Sequence, residues 1–330
     1  MYKGEQRFNF FLDQLQSLLA NAQNQKNPAL WLYSNNARTT LFMLEALAKL
    51  YAGLHNKKRF TKIKEQFKVL EDVIGAIDYY DSIAKDFVSK KNIAPAIINY
   101  LQAQTREKIQ SFNELLVEKK WLNKDENRVD KIRNKIKDAD WLDEEKEINE
   151  IRDFYGEAIY DIIEFIQEKK FHYENMETDV HELRRKLRWL SIYPQALQGC
   201  IQLSEDKPMP KHLAKYVTKE ITTSPFNKMP DAGDNKYFLL LSKNYFYALS
   251  WMIDQLGTLK DNGLHIIALK EALQQTAGLN ETEAFKKAYL LSGKKQSQLQ
   301  VLLNDAEIIT KVYFQEHNLE HLVAGINKIQ

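Results

Sequence analysis

Cysteine, glycine and proline are all scarce in this chain of 330 residues. The single cysteine, Cys200, excludes an intrachain disulfide and a zinc site made only of cysteines. Its surroundings, "QALQGCIQL", indicate a buried structural thiol rather than a nucleophile. Eleven glycines and seven prolines are few for a sandwich or a barrel. The abundant Leu, Lys, Glu, Gln, Ile and Ala therefore favour helices joined by short turns.

Two further absences bear on location and partners. No segment approaches the roughly 18 apolar residues of a membrane-spanning helix, and the first residues lack the apolar region and cleavage site of a signal peptide. We therefore expect a cytoplasmic protein without a membrane partner. The formal net charge is only +2, which is too small to indicate a polyanion partner across the whole surface. Binding of that kind requires a local arrangement of charge.

Apolar residues recur at helical spacing through almost the whole chain, and no convincing alternation of a strand interrupts them. The clearest segments are "FNFFLDQLQSLL", "LFMLEALAKLYAGL", "FKVLEDVIGAIDYYDSIAKDFV", "IINYLQAQTREKIQSFNELLVEKKWL" and "EEKEINEIRDFYGEAIYDIIEFIQEKK". This periodicity predicts an all-α protein.

Residues 199–236 form the least helical segment of the C-terminal half. They hold four of the seven prolines: Pro208, Pro210, Pro225 and Pro230. We interpret the segment as an irregular, proline-rich insertion with one short helix, "KHLAKYVTKEI".

A second polar segment, "NKDENRVDKIRNKIKDADW", alternates basic and acidic residues. It lacks the basic excess and the interleaved aromatic residues of a nucleic-acid surface. It is typical of a solvated helix or connection with internal ion pairs, so we expect no specific binding of nucleic acid.

Two halves of the chain share one layout, which predicts an internal repeat. Each half has an amphipathic helix with a polar residue three positions before an arginine, at Asn35 and Arg38 and again at His181 and Arg184. Each half then has an apolar helix in which glycine precedes aspartate, at Gly75 and Asp78 and again at Gly257 and Asp261.

At these residues the chain resembles the conserved-histidine α-helical domain (CHAD) family. The family's second half carries His-x-x-Arg with further basic residues, and then Leu-Gly-x-x-x-Asp. The matching residues here are His181, Leu183, Arg184, Arg185, Arg188 and Leu190, then Leu256, Gly257, Leu259 and Asp261. In the first half "GAIDYYD" supplies Gly75, Asp78 and Asp81, with Ile77 where arginine is usual.

The resemblance implies two pseudo-symmetric, four-helix-type bundles, which we place at 1–172 and 173–330. It also implies non-catalytic binding of inorganic polyphosphate, or another phosphate-rich anion, through a basic surface without a cofactor. The residues that match this surface are His181, Arg184, Arg185 and Arg188, with Arg38 from the first half.

The first half departs from the family's pattern. Asn35 replaces histidine, and Phe42, Met43 and Glu45 stand where further arginines are usual, so that only Arg38 remains. The alternative hypothesis is therefore a helical scaffold that has lost its anion site and binds a protein partner. Exposure of Phe42 and Met43 beside Arg38 would favour it.

The spacing of the second-half helix separates two faces. Val180, Leu183, Leu187 and Leu190 gather on an apolar face. His181, Arg184, Arg185 and Arg188, at i, i+3, i+4 and i+7, form a second face that we name the basic stripe. Thr178 or Asp179 is the expected cap, which would put His181 in the first turn.

The basic stripe has two interpretations. Its cations repel one another unless acidic side chains or an anion lie among them, and the guanidinium fork suits phosphate oxygens. Structural pairing with carboxylates is the alternative, with Asp78, Asp81 and Asp261 as candidates. For the glycine–aspartate motifs we favour helix packing and orientation over chemistry.

One enzyme-like pattern remains. "HNLEH", His317 to His321, matches His-x-x-Glu-His, in which two histidines one turn apart could share zinc with Glu320 as base. A hydrolytic site normally needs a third ligand, and only nine residues follow. We interpret the pattern as a solvated or capping helix end and predict neither a metal nor an enzyme.

Overall fold

The computed structural model describes residues 1–122, 127–204, 208–293 and 298–323. In these ranges the chain is all-α, as predicted. The α-helices are α1 Lys3–Gln23, α2 Pro28–Ser34, α3 Ala37–Leu54, α4 Lys57–Val88, α5 Pro95–Glu118, α6 Arg128–Lys137, α7 Glu144–Lys169, α8 Glu182–Ala196, α9 Lys219–Thr223, α10 Lys243–Ala277, α11 Glu281–Ser292, α12 Leu299–Gln315 and α13 Asn318–Leu322.

The chain divides into two compact units, and each combines an N-terminal with a C-terminal segment. Apart from residues 1 and 2, the first unit is drawn from residues 3–141 and 264–297, and the second from residues 142–263 and 298–330. Helix α10 contributes residues to both units. This division differs from the consecutive halves, 1–172 and 173–330, that the sequence predicts.

In the first unit, the helices pack around an aromatic cluster. Helix α3 packs against α1 and α4, and α4 packs against α5. Phe8, Tyr51, Phe60 and Trp141 are buried, and their ring centroids lie 5.1–6.1 Å apart. Buried rings at these distances contribute both apolar area and favourable edge contacts.

Helix α6 lies in the polar segment that the sequence indicated as a solvated helix or connection, of which residues 123–126 lie outside the described ranges. Its Val129, Ile132 and Ile136 are buried, and it packs against α1. Arg133 donates to Asp13 of α1 at 2.7 Å. The apolar residues at i, i+3 and i+7 are the signal of this packing.

In the second unit, α7 packs against α8. The buried Tyr155 hydroxyl of α7 donates to the carbonyl oxygen of Leu190 in α8 at 2.6 Å. Cys200, just after α8, is buried, in agreement with the predicted structural thiol.

The proline-rich insertion is largely irregular, but the short helix predicted there is divided. Residues Lys211–Lys215 form a 3-10 turn, and α9 begins only at Lys219. A sheet that the sequence did not predict joins the two ends of the insertion. Strand β1, Ile201–Ser204, pairs in parallel with β2, Leu239–Ser242. Parallel pairing needs a long crossover, and the insertion is that crossover.

No helix in the described ranges is long and apolar enough to cross a membrane.

Gly199 occupies a position before β1 that excludes a side chain. Its φ is +87°, and a Cβ would lie 2.0 Å from the carbonyl oxygen of Asp231. We predict that Gly199→Ala lowers the free energy of unfolding by about 3 kcal/mol or more, because backbone strain and a clash with rigid backbone add together. Urea denaturation followed by circular dichroism measures it.

Gly278→Ala is the matched control. Gly278 also has a positive φ, +63°, but no atom lies within 4 Å of its Cβ position. Gly278→Ala should lower the free energy of unfolding by only about 1 kcal/mol, because only the left-handed conformation strains the new side chain. Equal losses at the two glycines would contradict the clash at Gly199.

Candidate functional site

In the first unit, Arg38 of α3 lies across Gly75 of α4. A Cβ at Gly75 would lie 2.8 Å from Arg38 Nη2. Arg38 Nε donates to Glu71 at 2.7 Å, and Nη1 donates to Asp78 at 3.1 Å. The guanidinium carbon also stands 5.3 Å from the centroid of the Phe42 ring. Two carboxylates and an aromatic face thus hold this cation in place.

In the second unit, Arg184 of α8 lies across Gly257 of α10 in the same manner. A Cβ at Gly257 would lie 3.0 Å from Arg184 Nε and 3.3 Å from Nη2. Nε donates to the carbonyl oxygen of Ile253 at 3.2 Å. The glycine in each helix therefore leaves room for an arginine side chain from another helix. This is the packing role that the glycine–aspartate motif predicts.

The two arginine–glycine contacts differ in charge. In both, Nε donates to the residue four positions before the glycine: the Glu71 carboxylate in one and the neutral carbonyl of Ile253 in the other. Three positions after the glycine stand Asp78 in α4 and Lys260 in α10. The position three after the glycine is therefore acidic in α4 and basic in α10.

Two members of the basic stripe pair with acidic residues that lie three or four positions before them in the chain. His181 Nδ1 lies 3.0 Å from the Glu177 carboxylate, and Arg185 Nη2 lies 2.5 Å from that of Glu182. The hydrogen bond with His181 lowers the pKa of Glu177 below its ordinary value, with a smaller effect from the charge of Lys260. Lys260 therefore contributes to the same electrostatic surroundings as the stripe.

The start of the second-half helix differs from the prediction. Neither Thr178 nor Asp179 is the cap: the side chain of Asn175 accepts from Glu177 N and Thr178 N at 2.8 and 3.1 Å. A π-helical turn, Met176–His181, follows before α8 begins at Glu182. His181 is therefore the last residue of this turn and directly precedes α8.

Asp179 is not free to cap because it is buried and bound to other groups. It accepts from Lys169 Nζ at 2.7 Å and from the N–H groups of Glu174 and Asn175 at 2.9 Å each. Burial alone would raise the pKa of Asp179, but these donors together outweigh burial and lower it. Asp179 thus joins the end of α7 to the π-helical turn.

Asp81 and Asp261, which belong to the glycine–aspartate motifs, each bind donors near them. Asp81 accepts from the Tyr33 hydroxyl at 2.7 Å and pairs with Lys85 at 2.6 Å. Asp261 pairs with the adjacent Lys260 at 2.8 Å. Burial is the first cause that raises the pKa of Tyr33, and its hydrogen bond to Asp81 is the second.

Glu45 of α3, a position at which the resemblance to the CHAD family leads us to expect arginine, is buried. Its exposed fraction is 7% and that of Glu71 is 8%. Burial, and then the negative charge of Glu71, raise the pKa of Glu45 to about 7. The Glu45 carboxyl group therefore holds its proton to a higher pH than an ordinary glutamate does.

The structure gives the histidines of "HNLEH" other partners. His317 caps α13 in the left-handed conformation, with its Nδ1 3.0 Å from the Glu320 carboxylate. The ring of His321 stacks on Tyr245 with centroids 5.0 Å apart. Nowhere in the described ranges do three or more His, Cys, Asp or Glu residues form a group that could hold a metal ion.

The basic stripe lies on one stretch of chain in the second unit, whereas Arg38 belongs to the first unit. Arg185 is exposed, and His181, Arg184 and Arg188 are half-buried. Sequence reasoning missed Glu71 and Ile253, which accept from the arginines, and Lys260, whose charge acts on Glu177. The signal that could have found them is their position, three after or four before each glycine.

Comparison of the chain with family models, with curated proteins and with solved structures found no match. The resemblance to the CHAD family therefore rests on the motif residues alone, and the internal repeat remains a prediction.

Three glycines within helices provide a test of the arginine–glycine contacts. We predict that Gly75→Ala and Gly257→Ala each lower the free energy of unfolding by about 1 kcal/mol. The added methyl group displaces the arginine, at a cost of about 1–3 kcal/mol in hydrogen bonds, which exceeds the gain of about 0.5–1 kcal/mol in helix propensity. Urea denaturation measures each variant.

Gly156→Ala in α7 is the control, since no atom lies within 4 Å of its Cβ position. It should raise stability by about 0.5–1 kcal/mol through helix propensity alone. A rise of the same size in all three variants would contradict the contacts.

The buried Glu45 should make stability depend on pH. Between its ordinary pKa and about 7, the folded state keeps a proton that the unfolded state releases, so stability falls as pH rises through this window. We predict that Glu45→Gln removes this fall and gains about 1–3 kcal/mol at pH ~8 relative to wild type. Urea denaturation from pH ~4 to ~8 measures both profiles.

Glu65→Gln, at an exposed position on α4, controls for the loss of one negative charge and should follow the wild-type profile. Parallel profiles for Glu45→Gln and wild type would show that Glu45 does not carry the effect.

Proposed function

We propose that the second unit binds a phosphate-rich polyanion, with inorganic polyphosphate as the leading candidate, without catalysis. The binding face is the basic stripe of His181, Arg184, Arg185 and Arg188 together with Lys260. The observation that carries the proposal is Lys260, which follows Gly257 by three residues, as Asp78 follows Gly75, and whose charge acts on Glu177 beside His181.

The charges of this face support an anionic ligand. Arg184, Arg185, Arg188 and Lys260 supply four permanent cations, of which Arg185 pairs with Glu182 and Lys260 with Asp261. In the first unit, by contrast, Glu71 and Asp78 already neutralise Arg38. A polyanion would meet repulsion there and attraction at the basic stripe.

The acids that pair with the stripe do not prevent binding. The pair of Arg185 with Glu182 is an exposed i,i+3 contact, and that of His181 with Glu177 is an i,i+4 contact. Pairs of this kind contribute only about 0.3–0.5 kcal/mol. A phosphate chain that accepts from several guanidinium groups at once therefore displaces these carboxylates at small cost.

A helical scaffold that binds a protein partner is the alternative function. The feature that would have favoured it was exposure of Phe42 and Met43. Both are half-buried, and the Phe42 ring covers Arg38. The described residues thus offer the anion proposal the more specific support.

Polyphosphate titration at two salt concentrations tests the proposal. We predict that Arg185→Gln/Arg188→Gln weakens binding roughly tenfold or more at ~50 mM salt, because two phosphate contacts are lost. The dependence of log K on log salt should become shallower by roughly 1–2. Arg184 is left in place because it also packs on Gly257.

Three further variants complete the experiment. Lys146→Gln/Lys219→Gln removes two exposed cations of the same unit and should keep most of the affinity. Lys260→Asp should weaken binding at least as much as Arg185→Gln/Arg188→Gln does. Arg38→Gln should weaken binding less than either of them. The proposal is wrong if wild type does not bind at low salt, or if the stripe and control variants lose equal affinity.

A further inference from the structure

Two hydroxyl groups in the core of the second unit, those of Tyr173 and of Thr310 in α12, have no hydrogen-bond partner among the described residues. Both side chains are fully buried, with an exposed fraction of 0%. Leaving a buried polar group unpaired is costly, and native proteins almost always supply a partner from the chain or from ordered water. These two hydroxyls therefore indicate a bound group that completes the core.

Thr310 differs from an ordinary buried threonine of a helix. Such a threonine commonly donates to the carbonyl oxygen four residues earlier. Thr105 of α5, which is also buried, donates in this way to Leu101 at 3.0 Å. The Thr310 hydroxyl makes no such bond to Ala306, since no described atom is its partner. It is thus available to a group from outside its own helix.

The segment that holds Tyr173 lies against the face of α12 that carries Thr310. The N–H of Tyr173 donates to the Glu307 carboxylate at 2.8 Å, and the ring centroids of Phe171 and Phe314 lie 6.4 Å apart. Glu307, Thr310 and Phe314 stand at i, i+3 and i+7 of α12, which is one helix face. The two contacts are therefore made on either side of Thr310 along this face.

The electrostatic surroundings of Tyr173 agree with this position. Burial is the largest influence and raises the pKa of Tyr173 above its ordinary value, while the Thr310 hydroxyl acts in the opposite direction and lowers this pKa. The two hydroxyls are thus close neighbours, yet neither meets the geometry of a hydrogen bond with the other. A third group is needed to satisfy both.

The surroundings restrict that group to a small neutral molecule. The charges that act on Tyr173 are the carboxylates of Glu307 and Asp179, which repel an anion, and full burial makes any ion costly to desolvate. Each hydroxyl can donate as well as accept a hydrogen bond, so a partner that does both can bind the two of them at once. Water has these properties and is the usual partner of unpaired polar groups in protein cores.

We propose that an ordered water molecule bridges the hydroxyl groups of Tyr173 and Thr310. The water joins α12 to the segment that leads into the π-helical turn, and it is a constant part of the core of the second unit. This site is separate from the polyanion face and does not depend on the function proposed for that face.

A high-resolution crystal structure of the full chain tests the proposal directly. We expect a water oxygen within about 2.6–3.2 Å of both Tyr173 Oη and Thr310 Oγ1. A direct hydrogen bond between the two hydroxyls, or two hydroxyls with no water between them, would overturn the proposal.

Thr310→Val replaces the hydroxyl by a methyl group of similar size. We expect the midpoint of thermal unfolding to fall by roughly 2–4 °C or more, because the water and the Tyr173 hydroxyl lose a partner. Thr105→Val is the matched control, since the Thr105 hydroxyl binds only its own helix, and it should shift the midpoint less. An unchanged or higher midpoint for Thr310→Val contradicts the bridge.

The double variant Tyr173→Phe/Thr310→Val distinguishes one shared water from two independent effects. If a single water binds both hydroxyls, the double variant should lose less than the sum of the two single losses. Additive losses would mean that the two hydroxyls share no water. If a variant does not fold, the crystal structure of wild type still decides between the outcomes.

Discussion

An arginine that lies across a glycine of a neighbouring helix is the constraint on which each unit depends. Arg38 on Gly75 and Arg184 on Gly257 bring a charged side chain into space that any larger residue would occupy. A guanidinium in such a position must find acceptors, because a half-buried cation without them is costly. For Arg38 these acceptors include the carboxylates of Glu71 and Asp78, and for Arg184 they include the neutral carbonyl oxygen of Ile253.

The sequence predicted much of the fold because helical periodicity is a local property. Long apolar repeats such as those of α4 and α7 need no knowledge of their partners to be recognised. Strands β1 and β2 escaped because four residues are too few to show alternation, and because their pairing joins residues far apart in the chain. The cap at Asn175 was missed because the Asp179 carboxylate, the expected cap, accepts instead from Lys169 and from the N–H groups of Glu174 and Asn175.

The candidate site was predictable only in part, because some of its contacts join residues that lie far apart in the chain. Spacing alone put His181, Arg184, Arg185 and Arg188 on one face, since all four belong to one stretch of chain. The acceptor of Arg184 belongs to α10, and which residue of α10 meets it is decided by the register between two helices. The contact of Arg184 with Gly257 was therefore not visible in the sequence of either helix alone. The acidic side chain of Glu45 was visible in the sequence, but its burial and the raising of its pKa by Glu71 were not.

The parallel pairing of β1 with β2 has a consequence for how this protein can vary. The register of Ile201 with Leu239 holds the two ends of the proline-rich insertion side by side, so the chain leaves and returns at a fixed place. The entropy of closing such a loop grows slowly, by about 0.6 kcal/mol for each doubling of its length. Residues can therefore be added at exposed positions of the insertion while the strand pair preserves the join between α8 and α10, whereas its buried Leu213 and Tyr216 have to be kept. The insertion is the natural point at which this fold could acquire a new module.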